Sequence, residues 1–443
     1  MPIKTGVGVN CNELLLFNVD YTRNSLTCHY LNDINYMNDL FERNPYIMSY
    51  LKKLENAMPV APLKLMVLDS AAELGNKVND YLVDFRSKVN NVYNNDPAFQ
   101  GYSEKNYLFQ FKTPRFNSGE GKAVLEETVR GKDLFILVDV CNHSLTYTMN
   151  GYTNHMSPDD HYQDLKRVIA ATNGKAHRIN VIMPFLYEGR QHRRTGRESL
   201  DCAYAFEELT KMGVTNFITF DAHDPRIQNA APLSGFDNFP AHYQFTRALL
   251  RAEKDLILDK EHVIVISPDE GALDRAIYFS SVLGADTGMF YKRRDYSTIV
   301  NGKNPIVAHE FLGNDIEGKD IIIIDDMISS GESMIDTSRQ LKEMKARRVF
   351  ICTTFGIFTN GLDAFDKAYQ EGVFDKVITT NLSYRPPELL TRPYYIEADM
   401  SKFLASIIDF TNHDLSMEPI TSPTEKIQQI LDIYNKGGEI YAV

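Results

Sequence analysis

From residue 63 onward the chain alternates short, continuous apolar runs with longer stretches in which apolar residues recur every three or four positions. The runs at 63–68, 134–138, 179–184, 217–220, 263–266, 321–324, 349–353 and 377–380 have the length of strands. Being apolar throughout rather than at alternate positions, they predict strands covered on both faces. Between them, 162–171, 203–212, 243–252, 274–283 and 334–344 carry a helical period. Ser70 ahead of Ala71-Ala72-Glu73 predicts a capping box that opens one more helix, running toward Val89. Strands that alternate with amphipathic helices predict an α/β class in which mostly parallel sheets are flanked by helices.

The strand count is too high for one sheet and 443 residues too many for one core, so two such domains are expected. The segment 229–240, rich in Ala, Pro, Gly and Asn, marks the passage between them. The expected division is an N-terminal extension at 1–60, a first domain at 61–235, a second at 236–415 and a tail at 416–443. Polar stretches at 90–106 and 144–160 read as long surface loops. In the extension, Leu14-Leu15-Leu16-Phe17 and residues 46–54 are apolar enough to pack but carry no chemical motif.

Composition narrows the function classes. No apolar run approaches the roughly 18 residues of a membrane span, and Met1-Pro2-Ile3-Lys4 does not open a signal peptide. Cys11, Cys28, Cys141, Cys202 and Cys352 are scattered and never form a C-x-x-C pair, which argues against a disulfide framework or a zinc site. A reduced, cytoplasmic protein is expected. A net charge of -12 argues against general nucleic-acid affinity, which comes mainly from Lys and Arg on phosphates. Any phosphate ligand must then be held locally, so the basic clusters at 190–197 and 292–294 stand out, although a charge run alone is ordinarily a solvated face.

The most informative segment is Ile321-Ile322-Ile323-Ile324-Asp325-Asp326-Met327-Ile328-Ser329-Ser330-Gly331-Glu332-Ser333. It reads as a buried strand, two carboxylates and a turn of small residues that opens a helix. Backbone amides around Ser330 and Ser333 would lie at a helix N-terminus, where unpaired N–H groups and the macrodipole suit a phosphate. Two adjacent acids at the carboxyl end of a parallel strand stand where such sheets hold ligands, and they can accept hydrogen bonds from vicinal hydroxyls. A lone Asp-Asp would be no more than an acidic turn. Phosphate followed by diol is the outline of a pentose 5-phosphate.

This segment resembles the phosphoribosyl-pyrophosphate loop of type I phosphoribosyltransferases and their relatives. Five further segments resemble the ribose-phosphate pyrophosphokinase (phosphoribosyl pyrophosphate synthetase) family in particular, and they come in that family's order. They are Arg115-Phe116-Asn117-Ser118-Gly119-Glu120 with Val129-Arg130-Gly131, Pro184 to Arg194 (PFLYEGRQHRR), Phe220-Asp221-Ala222-His223, Ser267-Pro268-Asp269-Glu270-Gly271 with Arg275-Ala276, and Lys292-Arg293-Arg294. The resemblance implies two type I phosphoribosyltransferase-like domains and the transfer of diphosphate from ATP to the C1 hydroxyl of ribose 5-phosphate. It implies ATP contacts from Phe116, Glu120, Arg190, Gln191 and His223, with Phe116 stacking on adenine in a site shared between subunits of a homo-oligomer. Asp325, Asp326, Ser329, Ser330, Gly331, Glu332 and Ser333 would hold ribose 5-phosphate. Mg2+ would be the cofactor, contacted by His223 and Asp269, and Lys292 and Arg294 would be the catalytic cations. Neither nucleic acid nor membrane is an expected partner.

The chain departs from the family pattern at Ser118, Leu186, Tyr187, Glu188, His192, Ala272, Ser329 and Glu332. A glutamate beside a bound phosphate is electrostatically awkward unless its side chain turns outward. These departures admit a rival reading, a catalytically silent subunit associated with an active synthetase. A second rival, a regulator that senses the pentose diphosphate, should lack the ATP elements.

Overall fold

The structure, a computed structural model, describes residues 57–93, 102–194, 196–294, 306–438 and 440. The two apolar segments expected to pack within 1–56, together with Cys11 and Cys28, lie outside them.

The first half runs β1 (Leu63–Val67), α1 (Ala72–Tyr93), β2 (Phe111–Lys112), β3 (Val124–Leu125), β4 (Asp133–Leu137), β5 (Thr146–Met149), β6 (Tyr152–His155), α2 (Pro158–Thr172), β7 (Arg178–Ile182), α3 (Asp201–Lys211), β8 (Asn216–Phe220) and β9 (Gly235–Phe239). Strands β1, β4, β7, β8 and β9 form one sheet in that order, each parallel to the next. All five residues of β4 are buried, the apolar run Leu134 to Leu137 as predicted for a strand covered on both faces and Asp133 with them. Alternate residues, Met66, Leu134, Ile136, Ile179 and Val181, pack with Leu165 and Val168 of α2 and Phe206 and Leu209 of α3. The expected division at 235/236 falls at the head of β9, which hydrogen-bonds to β8 and so belongs to the first sheet.

The second half runs α4 (His242–Ala252), β10 (Val263–Ser267), α5 (Leu273–Leu283), β11 (Asp286–Arg294), β12 (Ile306–Leu312), β13 (Asp320–Ile328), α6 (Glu332–Glu343), β14 (Arg348–Gly356), α7 (Asp363–Gln370), β15 (Lys376–Thr380), β16 (Tyr395–Ala398), α8 (Ser401–Asn412), α9 (Glu418–Thr421) and α10 (Pro423–Asn435). Its sheet has the order β12-β11-β10-β13-β14-β15-β16, parallel except for the β11–β12 pair. The chain leaves β10 toward β11 on one side and returns to β13 on the other. This reversal opens a crevice at the carboxyl ends of β10 and β13.

Three local expectations need correction. Ser70 does not cap α1: it lies in a single turn of 3-10 helix at Asp69–Ala71, and its hydroxyl instead accepts the Asp139 amide at 3.2 Å. Helix α1 also runs on to Tyr93, past the expected start of a loop at residue 90. The stretch 144–160 is not a plain loop. Asn150-Gly151, with φ of 52° and 86°, turns the β5–β6 hairpin, and Ser157 and Asp160 form the capping box of α2.

Helix α8 turns back and packs on α1 of the first half. There Arg86, fully buried, donates from Nε to Asp409 at 2.9 Å and from a terminal nitrogen to Asn412 at 2.6 Å. Asn412 in turn donates to the buried Asp133, which also receives Arg178 and Asn180.

Candidate active site

The carboxyl ends of the two sheets face each other. Asp139, just beyond β4, accepts the Tyr384 amide at 2.6 Å, and Phe185 meets the Phe355 ring edge-on at 5.1 Å between centroids. Asp221, just beyond β8, accepts the Thr354 hydroxyl of β14 at 2.8 Å. His223 Nδ1 hydrogen-bonds Asp326 Oδ2 at 2.7 Å. The site is therefore built from both halves.

Asp325 and Asp326 end the apolar part of β13, where pleating sends them to different surroundings. Asp326 is only 4% exposed. Burial alone would push its carboxyl up, but the His223 hydrogen bond and the Arg275 guanidinium, 3.9 Å away, outweigh burial and hold it below the usual carboxylate range. Asp325 is pushed well above its ordinary value, first by burial, then by the Asp326 carboxylate beside it, with Asp269 adding to the repulsion. The two acids are thus pushed in opposite directions by their surroundings.

After β13 the chain makes the Ser329-Ser330-Gly331 turn into α6. Gly331 has φ of 87°, and a Cβ there would lie 2.2 Å from the Phe365 ring, so only glycine fits. The N-cap of α6 is Gly331 itself, which brings no side chain to cap the helix. Ser329 and Ser330 are half-buried, whereas Glu332 and Ser333 are exposed on the first turn. The exposed Glu332 has the outward room that the sequence reading required of it.

Asp269 lies at the carboxyl end of β10, where its side chain accepts the Gly271 amide at 2.9 Å. Arg190 is exposed and Gln191 half-buried on the turn after β7. Phe116, 52% exposed, tips a tight turn closed by the Phe116 amide on the Glu120 carbonyl at 2.7 Å. Among the described residues neither Phe116 nor Glu120 is hydrogen-bonded or ring-stacked to Arg190, Gln191 or His223. Lys292 and Arg294 lie on β11 beside β12; their side chains are outside the described residues. Among the described residues no three His, Cys, Asp or Glu side chains form a protein-only metal cage. The Asp269 carboxylate at the end of β10 is nonetheless a hard oxygen donor of the kind magnesium takes one or two at a time, with the remainder from water and phosphate.

Two family models match the chain in succession, the N-terminal domain of ribose phosphate pyrophosphokinase over residues 63–213 and the phosphoribosyl transferase domain over 236–382. A ribose-phosphate pyrophosphokinase of Thermosipho africanus is 30% identical over 253 residues, covering 56% of this chain and 71% of that one. The chain belongs to the ribose-phosphate pyrophosphokinase family. The Vibrio cholerae ribose-phosphate pyrophosphokinase is 29% identical over 66% of this chain and 85% of its own. The phosphoribosylpyrophosphate synthetase structure from Mycobacterium smegmatis superposes with a TM-score of 0.61 at 22% identity, over 80% of this chain and 99% of that one. The expected architecture, an enzyme with two phosphoribosyltransferase-type domains, is borne out.

Several departures from the pyrophosphokinase pattern have structural work. Leu186 packs in the first core, and Tyr187 stacks on Tyr162 at 4.3 Å. Glu188 adopts φ of 54° in the turn that presents Arg190. Ser118 donates to Glu120 at 2.9 Å. His192 lies 5.5 Å from the His223 ring and 3.2 Å from Asp224, inside the cluster. The sequence reading did not single out His192, Asp221, Arg275 or Thr354 as site residues. A signal existed only for the first three, which stand in motifs it quoted; Thr354 follows Thr353 in a strand with no quoted motif.

Proposed function

We propose that the chain transfers the diphosphate of ATP to the anomeric hydroxyl of ribose 5-phosphate, giving 5-phosphoribosyl 1-diphosphate and AMP. The observation that carries this reading is the succession of two adjacent acids, Asp325 and Asp326, the second held by His223 at 2.7 Å, and a glycine-turned helix N-terminus at the crevice of the second sheet. The acids would hold the sugar diol and the amides around Ser329, Ser330, Gly331, Glu332 and Ser333 the 5-phosphate. Arg190 and Gln191 would hold the nucleotide, and Phe116 and Glu120, standing out on their turn, the ATP of a neighbouring copy. The anomeric oxygen attacks the β-phosphorus, the bond from the β-phosphorus to the oxygen bridging to the α-phosphorus breaks, and AMP leaves with the bonding electrons. The hydroxyl proton passes to solvent. The protein's share is in-line positioning and charge neutralisation. Magnesium, held by Asp269 and by His223 directly or through water, would neutralise the β and γ oxygens. A cytoplasmic homo-oligomer completes the reading.

Phosphorus NMR of the protein with ATP, ribose 5-phosphate and magnesium tests it: AMP and the 1-diphosphate should appear together. No AMP from the unmodified protein would leave the silent-subunit reading in its place.

Asp326→Asn should weaken ribose 5-phosphate use by about 1.5 to 3 kcal/mol, the worth of a charged hydrogen bond, and leave ATP binding nearly intact. Titration of each substrate checks this, and a collapse of nucleotide affinity with normal sugar saturation would place the wrong ligand on the acid. Mixing Phe116→Ala with Lys292→Ala chains should restore some turnover through hybrid sites, whereas full activity of a verified monomer would refute a shared site.

A further inference from the structure

Asp221 follows β8 with φ of 43°, in the left-handed region that non-glycine residues rarely adopt. Its amide donates to the Phe239 carbonyl at 3.0 Å, so the backbone is held there. The two carboxylate oxygens point to different elements. Oδ1 accepts Arg275 Nε of α5 at 2.6 Å, and Oδ2 accepts the Thr354 hydroxyl of β14 at 2.8 Å. Arg275 also donates to the Ala222 carbonyl at 3.1 Å and is largely buried. The same terminal nitrogen that donates to Ala222 lies 3.9 Å from Asp326 Oδ2, the oxygen that takes His223. Arg275 therefore bridges the Asp221-Ala222-His223 turn and the acid pair.

We infer that Asp221 is a positioning residue of this site: it aims Arg275 at Asp326 and ties both to β14, so that the acid pair meets the sugar in one arrangement. The inference rests on the reading of Asp326 as the ligand of the sugar diol. Each carboxylate oxygen of Asp221 is engaged, one by Arg275 and one by Thr354. Its effect must pass through Arg275. An asparagine tolerates the left-handed backbone and its amide oxygen can still accept from Thr354, but it holds no charge against the guanidinium.

The test is a double-mutant cycle of Asp221→Asn and Arg275→Gln, read by steady-state kinetics, by calorimetric binding of ribose 5-phosphate and by thermal midpoint. Asp221→Asn is expected to lower kcat/KM for ribose 5-phosphate and its affinity by about 10- to 100-fold, the loss of one charge-assisted hydrogen bond. KM for ATP should change less than about twofold, while the thermal midpoint falls because one partner of a largely buried ion pair is lost. The double mutant should be no worse than Arg275→Gln alone, because the two act as one unit. Arg275→Lys, which keeps the charge and loses the fork, should fall between wild type and Arg275→Gln and serves if the glutamine variant does not fold. Losses that multiply in the double mutant overturn the inference, as does an Asp221→Asn chain with a lowered thermal midpoint and wild-type sugar parameters. A wild-type chain that neither binds nor uses ribose 5-phosphate would sink the functional reading first and this role with it.

Discussion

Replacing Lys292 or Arg294 by alanine is expected to lower kcat by on the order of a hundred- to thousand-fold, about 3 to 4 kcal/mol, without a comparable rise in KM. On the proposed reaction, the reason is that diphosphate transfer asks a protein chiefly for in-line positioning and charge neutralisation. Charge shifts along the transferring group, and cations that meet it there stabilise the transition state more than bound ATP. Both residues end β11, at alternate positions with Arg293 between them. The β11–β12 register slips between Arg293 and Arg294, but the extra residue, Val307, is on β12, so the alternation of β11 itself continues. Arg293→Ala should accordingly cost far less. The double mutant Lys292→Ala with Arg294→Ala should lose less than the product of the single effects, because the two act on one group. Initial rates of AMP formation over a matrix of substrate concentrations decide it. Three alanine variants with near wild-type kcat would reduce the cluster to a solvated charge run.

Much of the scaffold was legible because burial on both faces leaves a plain mark. The runs that became β4, β10 and β13 are apolar at nearly every position, and nothing polar interrupts them before the ligand-facing end. Two of the edge strands leave no such mark. β9 (GFDNF) and β16 (YIEA) mix polar with apolar residues because one edge or face is open, and neither was expected. The β5–β6 hairpin carries a local signal, Asn150-Gly151 between its strands, within a stretch whose overall polarity reads as loop. Ser70 shows the opposite error: the cap pattern is present, but the hydroxyl serves Asp139, a partner 69 positions away.

The site divides in the same way. Asp325, Asp326 and the turn at Gly331 are contiguous, so strand end, acids and helix start could be read from one stretch. The bonds that set their charges are not local. Arg275 reaches Asp221 across 54 positions and Thr354 reaches it across 133, while His223 reaches Asp326 across 103. Such pairs depend on how the two sheets face each other, which no local pattern specifies. That facing depends in turn on the contacts that fasten the halves together away from the crevice.

Arg86→Ala should therefore destabilise the folded chain by about 3 to 5 kcal/mol, the usual cost of removing one partner from a buried ion pair. Arg86 has no exposed surface, and its guanidinium lies 4.7 and 5.2 Å from the ring centres of Tyr102 and Tyr107. Truncation would leave the Asp409 carboxylate, itself fully buried, without the cation that ties α8 to α1. The loss is chiefly an uncompensated charge rather than a lost attraction, and this gives the prediction a second arm. Arg86→Met combined with Asp409→Leu removes both charges and keeps apolar volume, so it should recover most of the stability lost by Arg86→Ala. Denaturant midpoints with unchanged slopes measure the difference. KM values of the surviving folded fraction should stay near wild type, since Arg86 lies at the α1–α8 contact and touches no crevice residue named above. If Arg86→Ala leaves the midpoint where it was, α8 is held by its apolar face alone; if the double substitution is no better than Arg86→Ala, geometry rather than charge makes the contact.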